Sequence, residues 1–110
     1  MRLGILALAL CAAASGADQI NEIGKLRDRQ DRAGLETRAA AFHAEADKTQ
    51  NDANRWYLAA TAYSYLAEVT YELRDKGASE RAAEAGVKDA ERAVALNGKE
   101  ADYYRILGTL

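Results

Sequence analysis

The sequence predicts an all-α protein, and three observations carry that prediction. No proline interrupts its 110 residues. Alanine, glutamate, arginine, leucine and lysine, all strong helix formers, fill most positions. Apolar residues recur at i, i+3, i+4 and i+7, whereas Val, Ile and Thr never alternate over a strand-length run.

The first seventeen residues, MRLGILALALCAAASGA, stand apart from the rest. Arg2 supplies a short basic start, Leu3 to Ala14 an apolar run, and Ser15-Gly16-Ala17 the small residues of a cleavage site. That order predicts a secretory signal peptide over residues 1–17, cleaved after Ala17, and so an exported protein, periplasmic or secreted. The apolar run falls well short of the roughly 20 residues a spanning helix needs, so no stable membrane insertion is expected after cleavage. Lipidation at Cys11 is the alternative, since Leu8-Ala9 resemble the start of a bacterial lipobox. Leu10, however, stands where that motif carries a small residue. Cys11 leaves with the signal, so the mature chain is expected to hold no disulfide and no cysteine-based metal site. Arg2 is the only charge in the leader, and residues 18–110 carry 14 basic and 17 acidic side chains. Charges of alternating sign with a slight acidic excess form a solvated surface, with no basic field for nucleic acid.

Residues 18–50 read as an N-terminal helical segment. The stretch from Asp18 to about Asp31 carries Ile20, Ile23 and Leu26 on one face, with Asp18 as its expected cap and a break expected near Ala33-Gly34. From Leu35 to about Lys48, Leu35, Ala39, Phe42 and Ala46 line a second helix, and Asn51 or Asp52 can cap the next. The longest helix runs from Ala53 to about Arg74, with Trp56, Ala59, Ala60, Tyr63 and Leu66 inward. Gly77 suits a left-handed stop, and Ser79 can cap a helix over Glu80–Leu96 whose inner face holds Ala82 or Ala83, Gly86, Val87, Ala90, Ala93 and Val94. Asn97-Gly98 then turns the chain into a last helix with Ala101, Tyr104, Leu107 and Gly108 inward.

AVALNGKEADYYRILG resembles the junction between two tetratricopeptide repeats, with Tyr104, Leu107 and Gly108 on the motif's opening aromatic, leucine and glycine. Trp56 and Tyr63 match its tryptophan and tyrosine, and Ala59 and Ala60 stand for its leucine and glycine. Trp56 and Tyr104 are 48 residues apart, 14 beyond the usual period. That spacing is similar to the long-helix repeats of the third component of some bacterial solute transporters and of a regulator-of-microtubule-dynamics group. The resemblance implies a solenoid of antiparallel helix pairs over residues 51–110, with Trp56, Ala59, Ala60, Tyr63, Gly86, Ala90, Ala93, Tyr104, Leu107 and Gly108 as repeat core. The last helix lacks a covering neighbour, so a longer chain with a truncated next repeat is expected, with completion by another subunit as the alternative. The resemblance also implies a concave groove presenting Asn54, Tyr57, Thr61, Ser64 and Tyr65 from one repeat, and Asp102, Arg105 and Thr109 from the next.

Catalytic signals are sparse. His43 is the lone histidine, with Asp47 at i+4 as a surface partner. Glu68 and Glu72 form a carboxylate pair that reads as an exposed stripe near Arg74 and Lys76. No H-E-x-x-H, P-loop, GxGxxG or G-x-S-x-G is present. The expectation is therefore no enzyme, no cofactor and no metal, but a scaffold binding a protein or extended peptide. An accessory component of a solute transporter, contacting a binding protein or a small solute, is the alternative.

Overall fold

A computed structural model describes residues 15–110, so Cys11 and most of the leader lie outside the described residues. Among the described residues the chain forms five α-helices and no strand: α1 Gly16–Asp28, α2 Arg32–Lys48, α3 Ala53–Glu72, α4 Lys76–Leu96 and α5 Ala101–Thr109.

Local chemistry explains each boundary. Ser15, Asp31, Asp52 and Asp75 precede α1 to α4, and their side-chain oxygens accept the N–H groups of Asp18, Gly34, Asn54 and Ala78. The turns after α1 and α3 are built alike. Gln30 and Arg74 adopt the left-handed region, at φ 54° and 65°. Gln30 N–H donates to the Arg27 carbonyl and Asp31 N–H to that of Leu26. In the same way Arg74 N–H donates to Tyr71 and Asp75 N–H to Thr70. Each helix thus ends in a Schellman motif whose last residue is the aspartate that caps the next helix. The two turns also touch, through Arg32 Nη1 to Asp75 Oδ2 at 2.9 Å and Gln30 Nε2 to Glu72 Oε1 at 3.2 Å.

These turns correct three expected boundaries, and Ser15, not Asp18, caps α1, with the Asp18 N–H donating to it from the first turn. The first break falls at residues 29–31, and Gly34 sits inside the first turn of α2. Arg74 takes the left-handed place expected of Gly77, and α4 starts four residues early, at Lys76, because Asp75 caps it. Ser79 caps nothing; its hydroxyl donates to the Ala67 carbonyl and pins α4 to α3. Among the described residues no glycine has positive φ, so α4 ends at Asn97 without a left-handed Gly98.

α3 is the hub, in contact with every other helix. One side packs Leu58, Ala59, Ala62, Leu66 and Val69 against Ile23 of α1, Leu35, Ala39 and Phe42 of α2, and Ala82 of α4. Its other side sets Trp56 against Ala46, Ala93 and Tyr103, and Ala60 against Ala90 and Ile106. Alanine dominates the α3–α4 seam, and small side chains let helix axes approach closely. At Gly86 a Cβ would lie 3.1 Å from the Cβ of Tyr63 and 2.9 Å from Cδ2 of Leu110.

In α5 the buried face differs from the one expected. Tyr103 and Ile106 are buried and Leu107 half-buried, while Tyr104 is 51% exposed and Gly108 has open space beside it. Tyr103 fits against Tyr57, ring centroids 5.0 Å apart, and joins the Trp56 cluster. That contact turns α5 by one position, about 100°. Two adjacent tyrosines leave the choice open in sequence.

Gly86→Ala is expected to lose about 1 kcal/mol despite its better helix propensity, because the seam must open. Gly24→Ala, whose Cβ would meet only Arg27 Nη2 at 4.0 Å, should gain up to about 1 kcal/mol. Urea unfolding of both variants measures the contrast, and equal shifts would contradict the tight seam.

Candidate functional site

The residues expected in the groove do not share one environment. Asn54 is exposed and lines a cleft of 490 Å3 between α1, α2 and α3, with Arg38, Phe42, Arg55 and Leu58. Tyr57 is half-buried against Tyr103. Thr61 is 2% exposed, and its hydroxyl donates to the Tyr57 carbonyl at 2.9 Å. It cannot meet a partner, which corrects its assignment to the groove. Ser64 is half-buried, as is Tyr65, whose ring lies under the Arg27 guanidinium at 4.4 Å. On α5, Asp102 and Arg105 are exposed and pair at 3.3 Å, and the Thr109 hydroxyl donates to the Arg105 carbonyl.

Tyr71, at 71% exposure, continues the Tyr57–Ser64 stripe and is not distinguished by the repeat pattern. Its spacing of fourteen from Tyr57 is the signal that could have found it, since two heptads return close to the same side of a helix. Glu68 and Glu72 face Arg27 of α1 and Arg29 and Gln30 of the turn that follows it across a cleft of 330 Å3. α1 therefore borders this side of α3.

A second constellation joins α2 to α4. Asp89 lies on the inner face of α4 between Gly86 and Ala93 and is 2% exposed. Its two carboxylate oxygens stand 3.0 and 3.1 Å from Nδ1 of His43. A carboxylate only accepts, so Nδ1 carries the proton in this bond. Asp47, the neighbour on α2, is not the partner. The imidazole side chain is 47% exposed and lies edge-on to Trp56 and Tyr63, with centroids at 5.6 and 6.4 Å. Arg92, one turn beyond Asp89, covers the Trp56 ring at 5.0 Å. Burial pushes the Asp89 carboxyl above its ordinary value, and the His43 hydrogen bond and charge offset part of that rise. Burial, with the Asp89 charge added, also raises the Tyr63 phenol.

A carboxylate on Nδ1 orients an imidazole as a base–orienter pair would. Among the described residues no serine, threonine or cysteine is hydrogen-bonded to the imidazole. What the geometry does supply is a bridge between two helices that share α3 as a floor. Asp89 was legible as an oddity, a charged residue in phase with Gly86, Ala90 and Ala93.

His43→Ala leaves the Asp89 carboxylate buried without its donor, and should cost about 2–3 kcal/mol. Because the folded pKa of Asp89 is raised, its titration contributes stability that is whole below the unfolded carboxylate value and lost as pH climbs through the folded one. Asp89→Asn removes that loss. Its Tm should exceed the parent's at pH 7 and converge with it near pH 3; a lower Tm at pH 7 would count against the desolvation account. Compared with protein-family models, with curated proteins and with solved structures, the chain matches none.

Proposed function

We propose that this protein is an exported, non-catalytic scaffold of tetratricopeptide-like helix pairs that binds a protein or an extended peptide. One observation carries the reading. The α1–α2 and α3–α4 turns repeat the same hydrogen-bond pattern, each with one left-handed residue (Gln30, Arg74) followed by a capping aspartate, with Asp31 and Asp75 forty-four residues apart. Two hairpins made alike and packed side by side support a solenoid reading, in which the α3–α5 contact would begin the next unit.

The binding face in this reading is the open stripe of α3, Ser64 and Tyr71, together with Asp102 and Arg105 of α5. Tyr71 offers a large amphipathic surface with few rotatable bonds, and the charged pair on α5 offers polar contacts. Packed helices hold these groups in place before the partner arrives, so binding loses little ordering entropy. The leader over residues 1–17 directs the scaffold out of the cytoplasm.

Immobilised protein challenged with periplasmic extract tests the reading. Tyr71→Ala combined with Ser64→Arg should reduce the recovery of retained partners at least about fivefold, with the Tm within a few degrees of the parent. Unchanged recovery would remove the face from consideration. A large saturable thermal shift with small organic acids would instead favour a solute-handling accessory role, seated in the cleft around Arg38 and Phe42.

A further inference from the structure

Asn97-Gly98 joins α4 to α5, yet the conformational freedom of its glycine goes unused, since among the described residues no glycine has positive φ. The Glu100 N–H donates to the Asn97 carbonyl at 3.5 Å, and the Asn97 N–H to the Ala93 carbonyl at the end of α4. Between them, the Gly98 N–H meets no protein acceptor among the described residues. The Asn97 side chain folds forward over that peptide, its Oδ1 accepting the Lys99 N–H at 3.3 Å. An unengaged backbone nitrogen therefore lies beside a primary amide whose oxygen is already polarised by a donor. Asn97, Gly98 and Lys99 are all exposed, so water reaches the pair.

The three other asparagines lack this arrangement. Asn21 and Asn54 lie inside α1 and α3, and the N–H that follows Asn54 donates to the Asp52 carbonyl at 3.2 Å. Asn51 is exposed in the α2–α3 turn, but the Asp52 N–H after it is held by the Thr49 carbonyl at 2.9 Å. A bonded N–H keeps its proton, and a side chain on the following residue crowds its nitrogen. Gly98 has neither protection.

We propose that Asn97 is a self-modification site, where the chain converts asparagine to aspartate and isoaspartate through a cyclic imide and so loosens α5. The Gly98 nitrogen gives its proton to hydroxide and attacks Cγ of Asn97. A bond forms between that nitrogen and Cγ, the Cγ–Nδ2 bond breaks, and Nδ2 leaves as ammonia with a proton from water. Water then opens the imide. Attack at Cγ yields aspartate, and attack at the main-chain carbonyl yields isoaspartate. Either product puts a carboxylate at the negative end of the α4 dipole, in a cleft shared with Asp52 and Tyr103. Isoaspartate also lengthens the backbone by one carbon and frees the carbonyl that receives the Glu100 N–H. The next helix is anchored through Tyr103 on Trp56 and Ala93 and through Ile106 on Ala60 and Ala90, so a change in its lead-in reaches those contacts. The conversion needs only water and is independent of the α3 stripe.

The full chain, held in mildly alkaline buffer with and without urea and followed by peptide mapping in a mass spectrometer, tests the proposal. In the native chain the Asn97 peptide should gain the mass difference between hydroxyl and amino groups, after a species lighter by one ammonia. Peptides with Asn21, Asn51 and Asn54 should stay unchanged. An unconverted Asn97 in the native chain beside conversion in urea would overturn the proposal, because the fold would then protect the site. Gly98→Ala should slow conversion at least about tenfold. Its backbone suits alanine, and its Cβ would meet the flexible tip of Tyr104 at 3.3 Å and the Val94 carbonyl at 3.5 Å. An equal rate in that variant would refute attack by the Gly98 nitrogen. Hydrogen exchange on the converted chain should be several-fold faster in α5 and unaltered in α2, with Gly98→Ala aged alike as the control. Equal exchange in α5 before and after conversion would sink the claim that the change loosens it.

Discussion

The close approach of α3 and α4 is the constraint on which the rest of the structure depends. Ala59, Ala60, Ala90 and Ala93 are all fully buried, and a methyl group on Gly86 would sit only 3.1 Å from the Cβ of Tyr63, so the seam would have to give. Alanine and glycine contribute little apolar area each, so the seam gains through close contact over a long interface. The two helices span 20 and 21 residues, and that length makes the seam effective. Large side chains then fill the ends: Trp56 where α2, α4 and α5 converge, and Leu66 and Val69 toward the turns.

Because the seam is narrow, polar groups within it are held in a single arrangement. Asp89 belongs to the same stripe as Gly86 and Ala93, and the position would be costly for a carboxylate without a donor. His43 supplies one from α2, so a residue on the rim of one helix satisfies a residue deep in another. The same economy governs Thr61 and Thr70, whose hydroxyls donate to carbonyls one turn back and so can sit at 2% and 1% exposure. Trp56 is satisfied likewise, donating its indole N–H to the Gln50 carbonyl.

The surface divides according to which neighbours the hub helix receives. α1 covers Tyr65 through Arg27, and α5 covers Tyr57 through Tyr103, while Ser64 is half-buried and Tyr71 exposed. The edge of α4 carries a different chemistry, with carboxylates beside Ala83 and Val87. One side thus offers aromatic and hydroxyl groups, and the other an acidic border around a small apolar floor.

By itself, the sequence determined the helical class, the inner face of α2, the inward alanines of α3 and α4, and the end of α4 at Asn97, because periodicity and capping act within a few residues; it left Asn51 and Asp52 as equal candidates to cap α3. It also marked Trp56, Gly86 and the alanines as core, since small and aromatic residues in phase admit few other arrangements. Tertiary structure alone decided the rest. Tyr103 and not Tyr104 turns inward because only the position of Tyr57 distinguishes two adjacent tyrosines. Gln30 and Arg74 take the left-handed turns, although neither residue type favours them, because the hydrogen bonds that end one helix place an aspartate to begin the next. His43 finds Asp89 forty-six residues away, a pairing that exists only once α3 has brought α2 and α4 to its two sides.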